Sequence, residues 1–514
     1  MEQLIKKIEN NWRFSLIIIL LLNFALRLLI FSKTNLFNIA DYQGYLMGIE
    51  KIDNESSLSP GSSNYIFTLS YIGYYAKYIL GSLDVFFVFN CFLGTITTFI
   101  IALLVILVSG KAISGVITAI ILSFYTEFMV FSSVFYNPVI MLFILVLFIL
   151  ALFKYFTTNS KKKSIILLAI VLILFILTFL FKPELFFSPF FLLIFSFILI
   201  RKHLILFQKS LTLVLVLLSG IYLIYISGLY KKPDGSAIVN DFIFFGHTDY
   251  GGDGGEGAFI NSENKIRYNE ALSLYYKEHS ISNPNSIDRN RFQYLEIRRF
   301  ITHHPIKWAS LQFTKFFRTF GVVPETTSFK VLYTGIFKGN LWLTSIVVVA
   351  PVAIIILLFI IFFNYSAILE LTRGAKAQRR KGSMANPQPA MLNAKRETLD
   401  SHAANRTPHA AHPINYFLYI YLLLFIYYII ATIFFGQYQE RYRLPVMVVF
   451  IIPVLSYFIA KFDKENFVKR SSLITKGVII ALFLIVWTFQ AKKAIGNKQR
   501  LENAIESTEL LMRK

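Results

Sequence analysis

Charged side chains stand at four places where apolar tracts give way to polar chain, and each is of a type that can do chemistry. Asp41, in Asn38-Ile-Ala-Asp-Tyr-Gln-Gly-Tyr45, follows the first apolar tract by a few residues. A carboxylate there can take a proton from a hydroxyl. Burial would raise its pKa and a nearby cation would lower it. Lys182-Pro-Glu184 interrupts a second apolar tract, and Gln439-Glu-Arg-Tyr-Arg-Leu-Pro445 precedes a third. Arg441 and Arg443 offer planar forks that match phosphate oxygens, and Lys182 offers a point charge. Charges at such boundaries are functional candidates by default; the plain alternative is an anchor at the aqueous edge. In the fourth place, Ile306, Ala309, Phe313, Phe316 or Phe317, and Phe320 repeat at helical spacing, with Lys307, Lys315 and Arg318 gathered on another face. That face suits a lipid phosphate, or it is a row of cations snorkelling beside headgroups.

Other motifs lead nowhere. Gly252-Asp-Gly-Gly-Glu-Gly257 satisfies G-x-G-x-x-G but sits in polar loop, not in a strand-to-helix turn. Asp249, Asp253 and Glu256 miss the alternate spacing of a calcium loop. His303 and His304 lack a third ligand at metal spacing and read as helix-capping residues. The single cysteine, Cys91, has no partner for a disulfide or a thiolate metal site.

The elements that must hold these residues are membrane helices. The 514 residues are 56% hydrophobic and 16% charged, with 53 Phe, a composition no water-soluble fold could bury. The net charge of +22, 51 Lys+Arg against 29 Asp+Glu, does not imply nucleic acid as a partner, because the excess sits between apolar segments. At roughly 20 residues per crossing, spans are expected near 14–32, 85–109, 112–130, 134–153, 164–181, 185–200, 210–228, 342–363, 415–435, 444–460 and 472–490. The chain is therefore an all-α polytopic membrane protein of about eleven helices, with the first tract, Phe14 to Phe31, kept as an anchor. Basic loops after the even-numbered spans place the N-terminus in the cytoplasm. The tail carrying Lys492, Lys493, Lys498 and Arg500 breaks that rule, which argues for a count off by one near the end. Three parts follow: a module 1–228 with an external loop 34–64, a mainly helical extracytoplasmic subdomain 229–341, and a module 342–514. The last contains a cytoplasmic linker, 373–412, whose composition has no face to bury. Within the subdomain, Asn285-Ser-Ile-Asp288 and His304-Pro305 mark two helix starts.

In chain order these pieces resemble the GT-C superfamily of membrane glycosyltransferases, above all the bacterial branch similar to protein O-mannosyltransferases and lipid A aminoarabinose transferases. The resemblance covers most of the chain apart from the linker. The family's acid soon after the first span is matched by Asp41. Its stretch after the third span, a Pro or Tyr-Pro, then Tyr-Ser, then Thr-Glu, looks like Tyr125-Thr-Glu-Phe-Met-Val-Phe-Ser-Ser-Val-Phe-Tyr-Asn-Pro138. Its Arg-Pro appears as Lys182-Pro183, its Asn-Pro-x-x-Trp…Lys helix as His304-Pro305-Ile-Lys-Trp308…Lys315, and its closing Arg-Tyr-x-x-Pro as Arg441-Tyr-Arg-Leu-Pro445. Two positions depart: Asn137-Pro138 stands where the family has Thr-Glu, leaving Glu127 as the substitute acid, and Lys182 lacks the fork of an arginine.

The resemblance implies an inverting transfer of a sugar from a polyprenyl-phosphate donor to the hydroxyl of a glycan, lipid or protein acceptor. The site would face outward from a bacterial cytoplasmic (inner) membrane. It assigns Asp41 as general base with Glu127 as second acid, and Lys182, Arg441 and Arg443, helped by Lys315 or Arg318, as holders of the leaving phosphate. No cofactor or metal is required by any ligand cluster, and a divalent cation stays open. A polysaccharide polymerase or ligase, a lipid-linked transporter and a catalytically degenerate scaffold are the rivals. A transporter favours internal repeats and charges at the membrane midplane, whereas here the charges sit at span ends.

Overall fold

A computed structural model describes residues 8–34, 40–55, 64–158, 160–181, 212–214, 217, 241–251, 262–284, 286–319, 327–362, 440–460 and 470–496. Among these residues every element is helical, with no strand. The first helices are α1 (Trp12–Lys33), α2 (Ala40–Glu55) and α3 (Asn64–Tyr74), which runs on through a π-turn at Tyr75–Ile79. The segment 34–64, expected as a loop, thus contains a helix that pairs with α3.

Next come α4 (Asp84–Ser109), α5 (Ala112–Phe124), the one-turn α6 (Thr126–Val130) continuing as a 3-10 turn at Phe131–Ser133, α7 (Pro138–Thr157) and α8 (Lys161–Phe181). The 26 residues of α4 reach about 39 Å at 1.5 Å per residue, enough to cross a bilayer. It ends where Gly110 takes a left-handed backbone (φ 69°) and donates its N–H to Ile106 O at 2.9 Å. Helix α7 opens with Pro138 in its first turn, where the missing N–H leaves nothing unpaired.

The polar segment supplies α9 (Asp241–His247), α10 (Ser262–Glu278), α11 (Ser286–His303), α12 (Pro305–Thr319) and α13 (Thr327–Thr334). The two helix starts expected at 285–288 and 304–305 are where α11 and α12 begin. Phe244, Phe245, Tyr268, Tyr275 and Phe292 make an aromatic core for α9, α10 and α11, separate from that of the long helices. The remaining helices are α14 (Leu341–Phe362), α15 (Glu440–Pro445), α16 (Ile452–Ala460), joined to α15 by a π-turn at Val446–Ile451, and α17 (Arg470–Gly496).

Among the described residues five helical stretches are long and apolar enough to cross a membrane: Trp12–Lys33, Asp84–Ser109, Pro138–Thr157, Leu341–Phe362 and Arg443–Ala460. The pair α5 and α6 makes a sixth only as a broken span, bent by 69°, where the sequence suggested one continuous helix over 112–130. Of the other expected spans, 164–181 falls within α8 and 472–490 within α17. Those at 185–200 and 415–435, all but four residues of 210–228, and the linker 373–412 lie outside the described residues.

The burial pattern of α1 is that of a helix in lipid. Its buried residues are Leu16, Asn23 and Arg27, on one stripe, while Phe14, Ile17, Ile18, Leu21, Leu22 and Leu29 face outward. Water would invert that choice; a bilayer requires it, because the polar groups must find partners inside the protein. The hydroxyls of Thr97, Thr98, Thr118 and Ser123 answer the same demand by donating to the carbonyl four residues back, at 2.7–3.0 Å.

Candidate functional site

The chemistry gathers at the break between α5 and α7. Tyr125 leaves the helix with an extended backbone (φ −77°, ψ 93°), α6 restarts for one turn, and Val134 is extended again (φ −119°, ψ 138°). A broken span strands backbone carbonyls where no water can reach them. Side chains from neighbouring helices bind them. Arg27 Nη1 of α1 donates to Phe128 O at 2.9 Å, and Asn90 Nδ2 of α4 donates to Phe131 O and Ser132 O, each at 3.4 Å. Thr126 Oγ1 ties the break to α14 through Val347 O at 2.6 Å.

Arg27 is wholly buried. Its Nε donates to Asn23 Oδ1 at 2.9 Å, Nη1 also donates to Ser132 Oγ, and its guanidinium lies 4.2 Å from the centre of the Phe128 ring. Asn23 in turn donates to Ser123 Oγ at 3.0 Å and accepts from Thr95 Oγ1 at 3.1 Å. The guanidinium lies against Gly94, where an added Cβ would stand 2.4 Å from Nη1. Among the described residues no carboxylate pairs with Arg27, and its Nη2 has no hydrogen-bond partner.

Glu127, on α6, is the pivot of the other half. Arg443, from α15, grips both its oxygens: Nε donates to Oε2 at 3.1 Å and Nη2 to Oε1. Tyr125 adds its phenol O–H to Oε2 at 2.5 Å. Both members of the ion pair are buried, at 2% and 0% side-chain exposure. Such a pair holds only with bidentate geometry and its lone pairs satisfied, since taking two charges out of water costs several kcal/mol per ion.

The helix bearing Asp41 docks on the same place. Tyr45, one turn after Asp41 in α2, packs its ring 5.9 Å from Phe135 and 6.1 Å from Tyr136. Across from it, Gly73 of α3 has no room for a side chain, since a Cβ would lie 2.5 Å from Phe135 Cζ. Glu127 and Arg443 belong to one end of the helix bundle. The other end is marked by Lys111 Nζ donating to Ala460 O at 2.9 Å.

Two of the expected site residues, Glu127 and Arg443, are therefore in direct contact, as a buried ion pair. Asp41, Arg441 and Arg318 have their backbones in α2, α15 and α12, and their side chains lie outside the described part of the structure, as does all of Lys182. Lys315 belongs to α12. It is buried in the polar segment, where Nζ donates to Gly246 O at 2.7 Å, and burial pushes its pKa down to about 7. Lys307 is exposed, so Lys307 and Lys315 do not share one open cation face. Arg27, Asn23 and Asn90 were missed from sequence, although Asn23 and Arg27, four apart inside an apolar run, carry the mark of a functional intramembrane charge. Among the described residues no three His, Cys, Asp or Glu side chains stand together as metal ligands.

No protein-family model, no curated protein and no solved structure matches the chain.

Proposed function

We propose that the protein is an integral membrane glycosyltransferase. It moves a sugar from a polyprenyl-phosphate donor to an acceptor hydroxyl at the extracytoplasmic face, with inversion at the anomeric carbon. The observation that carries this reading is the Arg443 fork at one end of the bundle, which holds a carboxylate by Nε and Nη2 as it would hold two oxygens of a phosphate. The helix of Asp41 is seated on the same break, through Tyr45.

In the reaction the acceptor O–H gives its proton to the Asp41 carboxylate, and its oxygen forms a bond to the anomeric carbon. The bond from that carbon to the phosphate oxygen breaks, and the electron pair leaves with the lipid phosphate. Arg443, Arg441 and Lys182 are the cations for that charge. Glu127 holds the fork in register until the phosphate takes its place. Lys315, whose Nζ donates to Gly246 O, or Arg318 is the outer helper of these cations.

An acceptor hydroxyl deprived of its base should lose roughly 10²–10⁴-fold in rate. Asp41→Asn should therefore fold, bind donor lipid and leave the polyprenyl-phosphate sugar unconsumed in membranes that the wild-type protein depletes. Depletion at the wild-type rate would overturn the role of Asp41.

A further inference from the structure

Helix α12 is inside out. Toward its own subdomain it buries Leu311, Gln312 and Lys315, with Trp308 half-buried beside them, Trp308 Nε1 donating to His247 Nδ1 at 3.1 Å and Lys315 Nζ to Gly246 O at 2.7 Å. On the opposite side Ile306 is 85% exposed and Phe313 66% exposed. Positions seven apart fall on one helical stripe, so these two form a single apolar ridge. A helix that hides its lysine and displays Ile and Phe is arranged for a surrounding medium less polar than its own contacts.

The place of α12 identifies that medium. Phe316, near its C-terminal end, packs against the core of the membrane helices, and that end meets α15, where the Arg443–Ala460 span begins. At 1.5 Å per residue, Ile306 is about 15 Å from that contact along the axis, within reach of the bilayer surface. The exposed charges next to the ridge along the chain are basic: Lys307 on α12, and Arg298 and Arg299 in the last turns of α11, Arg299 being paired with Glu296. They complement anionic headgroups.

We propose that α12 lies in the membrane interface with the Ile306–Phe313 ridge sunk among the acyl chains of the leaflet at the Glu127–Arg443 end of the bundle. The subdomain is thereby seated on the bilayer by a helix that spans nothing. This stands independently of the transferase reading.

Cys91 is buried, so a thiol introduced at the surface can be labelled selectively. Nitroxides at Ile306→Cys and Phe313→Cys, in the full-length protein in lipid nanodiscs, should collide several-fold more often with oxygen than with a water-soluble nickel complex. Both positions are exposed, so the label displaces no packed core. Free access of the nickel complex to both labels would overturn the proposal. So would exclusion of both reagents together with spin–spin broadening between two protein copies, which would make the ridge a dimer face.

Discussion

Glu127 and Arg443, 316 residues apart in the chain, close a buried ion pair that joins the broken span to the start of the Arg443–Ala460 span. On the other side of the same break Arg27 holds Phe128 O and Ser132 Oγ. Two arginines, one from α1 and one from α15, thus fix the short helical turns of Thr126–Ser133 within the break. The break is where such fixing is needed, because lipid offers nothing to its carbonyls.

If the pair is one unit, removing either member should hurt about as much as removing both. Arg443→Ala or Glu127→Ala alone leaves an uncompensated buried charge, at about 3–5 kcal/mol. The double substitution should cost no more than either single one. Unfolding in mixed micelles measures the cycle, and costs that simply add would show that the two residues act independently.

Gly94 makes a second coupling measurable. An alanine there would push its Cβ to 2.4 Å from Arg27 Nη1 and 2.7 Å from Cζ. Gly94→Ala should destabilise by about 1–3 kcal/mol through overpacking. In an Arg27→Ala background that penalty should vanish, as read by the same unfolding measurement. A penalty unchanged by Arg27→Ala would mean that the guanidinium is not what Gly94 accommodates.

Lys315 predicts a pH dependence of definite sign. Burial lowers its pKa from 10.5 to about 7, so between those values the unfolded chain holds a proton that the folded protein lacks. Stability must then rise with pH from about 7 upward, and be insensitive to this group below 7. Tyr250, pushed up to about 12 chiefly by burial, opposes the trend only once unfolded tyrosine titrates, near pH 10. Thermal unfolding followed between pH 7 and 9.5 should show a Tm that climbs in the wild type and climbs less in Lys315→Met. Equal slopes would contradict the buried, neutral lysine.

The helical membrane class was legible because apolar runs of bilayer length have few alternatives, and the starts of α11 and α12 because Ser and Pro act locally. The break at Tyr125 was not, since no proline or glycine marks it; it depends on Arg27, Asn90 and Arg443, which approach only in the folded chain. The pairing of Glu127 with Arg443 is likewise a tertiary event. For α12, the sequence showed an apolar stripe and a lysine row, and periodicity alone does not say which faces inward. The structure buries Lys315 and exposes Phe313.

The claim that Arg443 is built for a lipid phosphate is tested most directly by the lipids that accompany the protein from its own membrane. Mass spectrometry of gently purified wild type should find a prenyl-phosphate species bound, retained in Asp41→Asn and lost in a folded Arg443→Ala protein. Bulk phospholipid alone in all three would contradict the account.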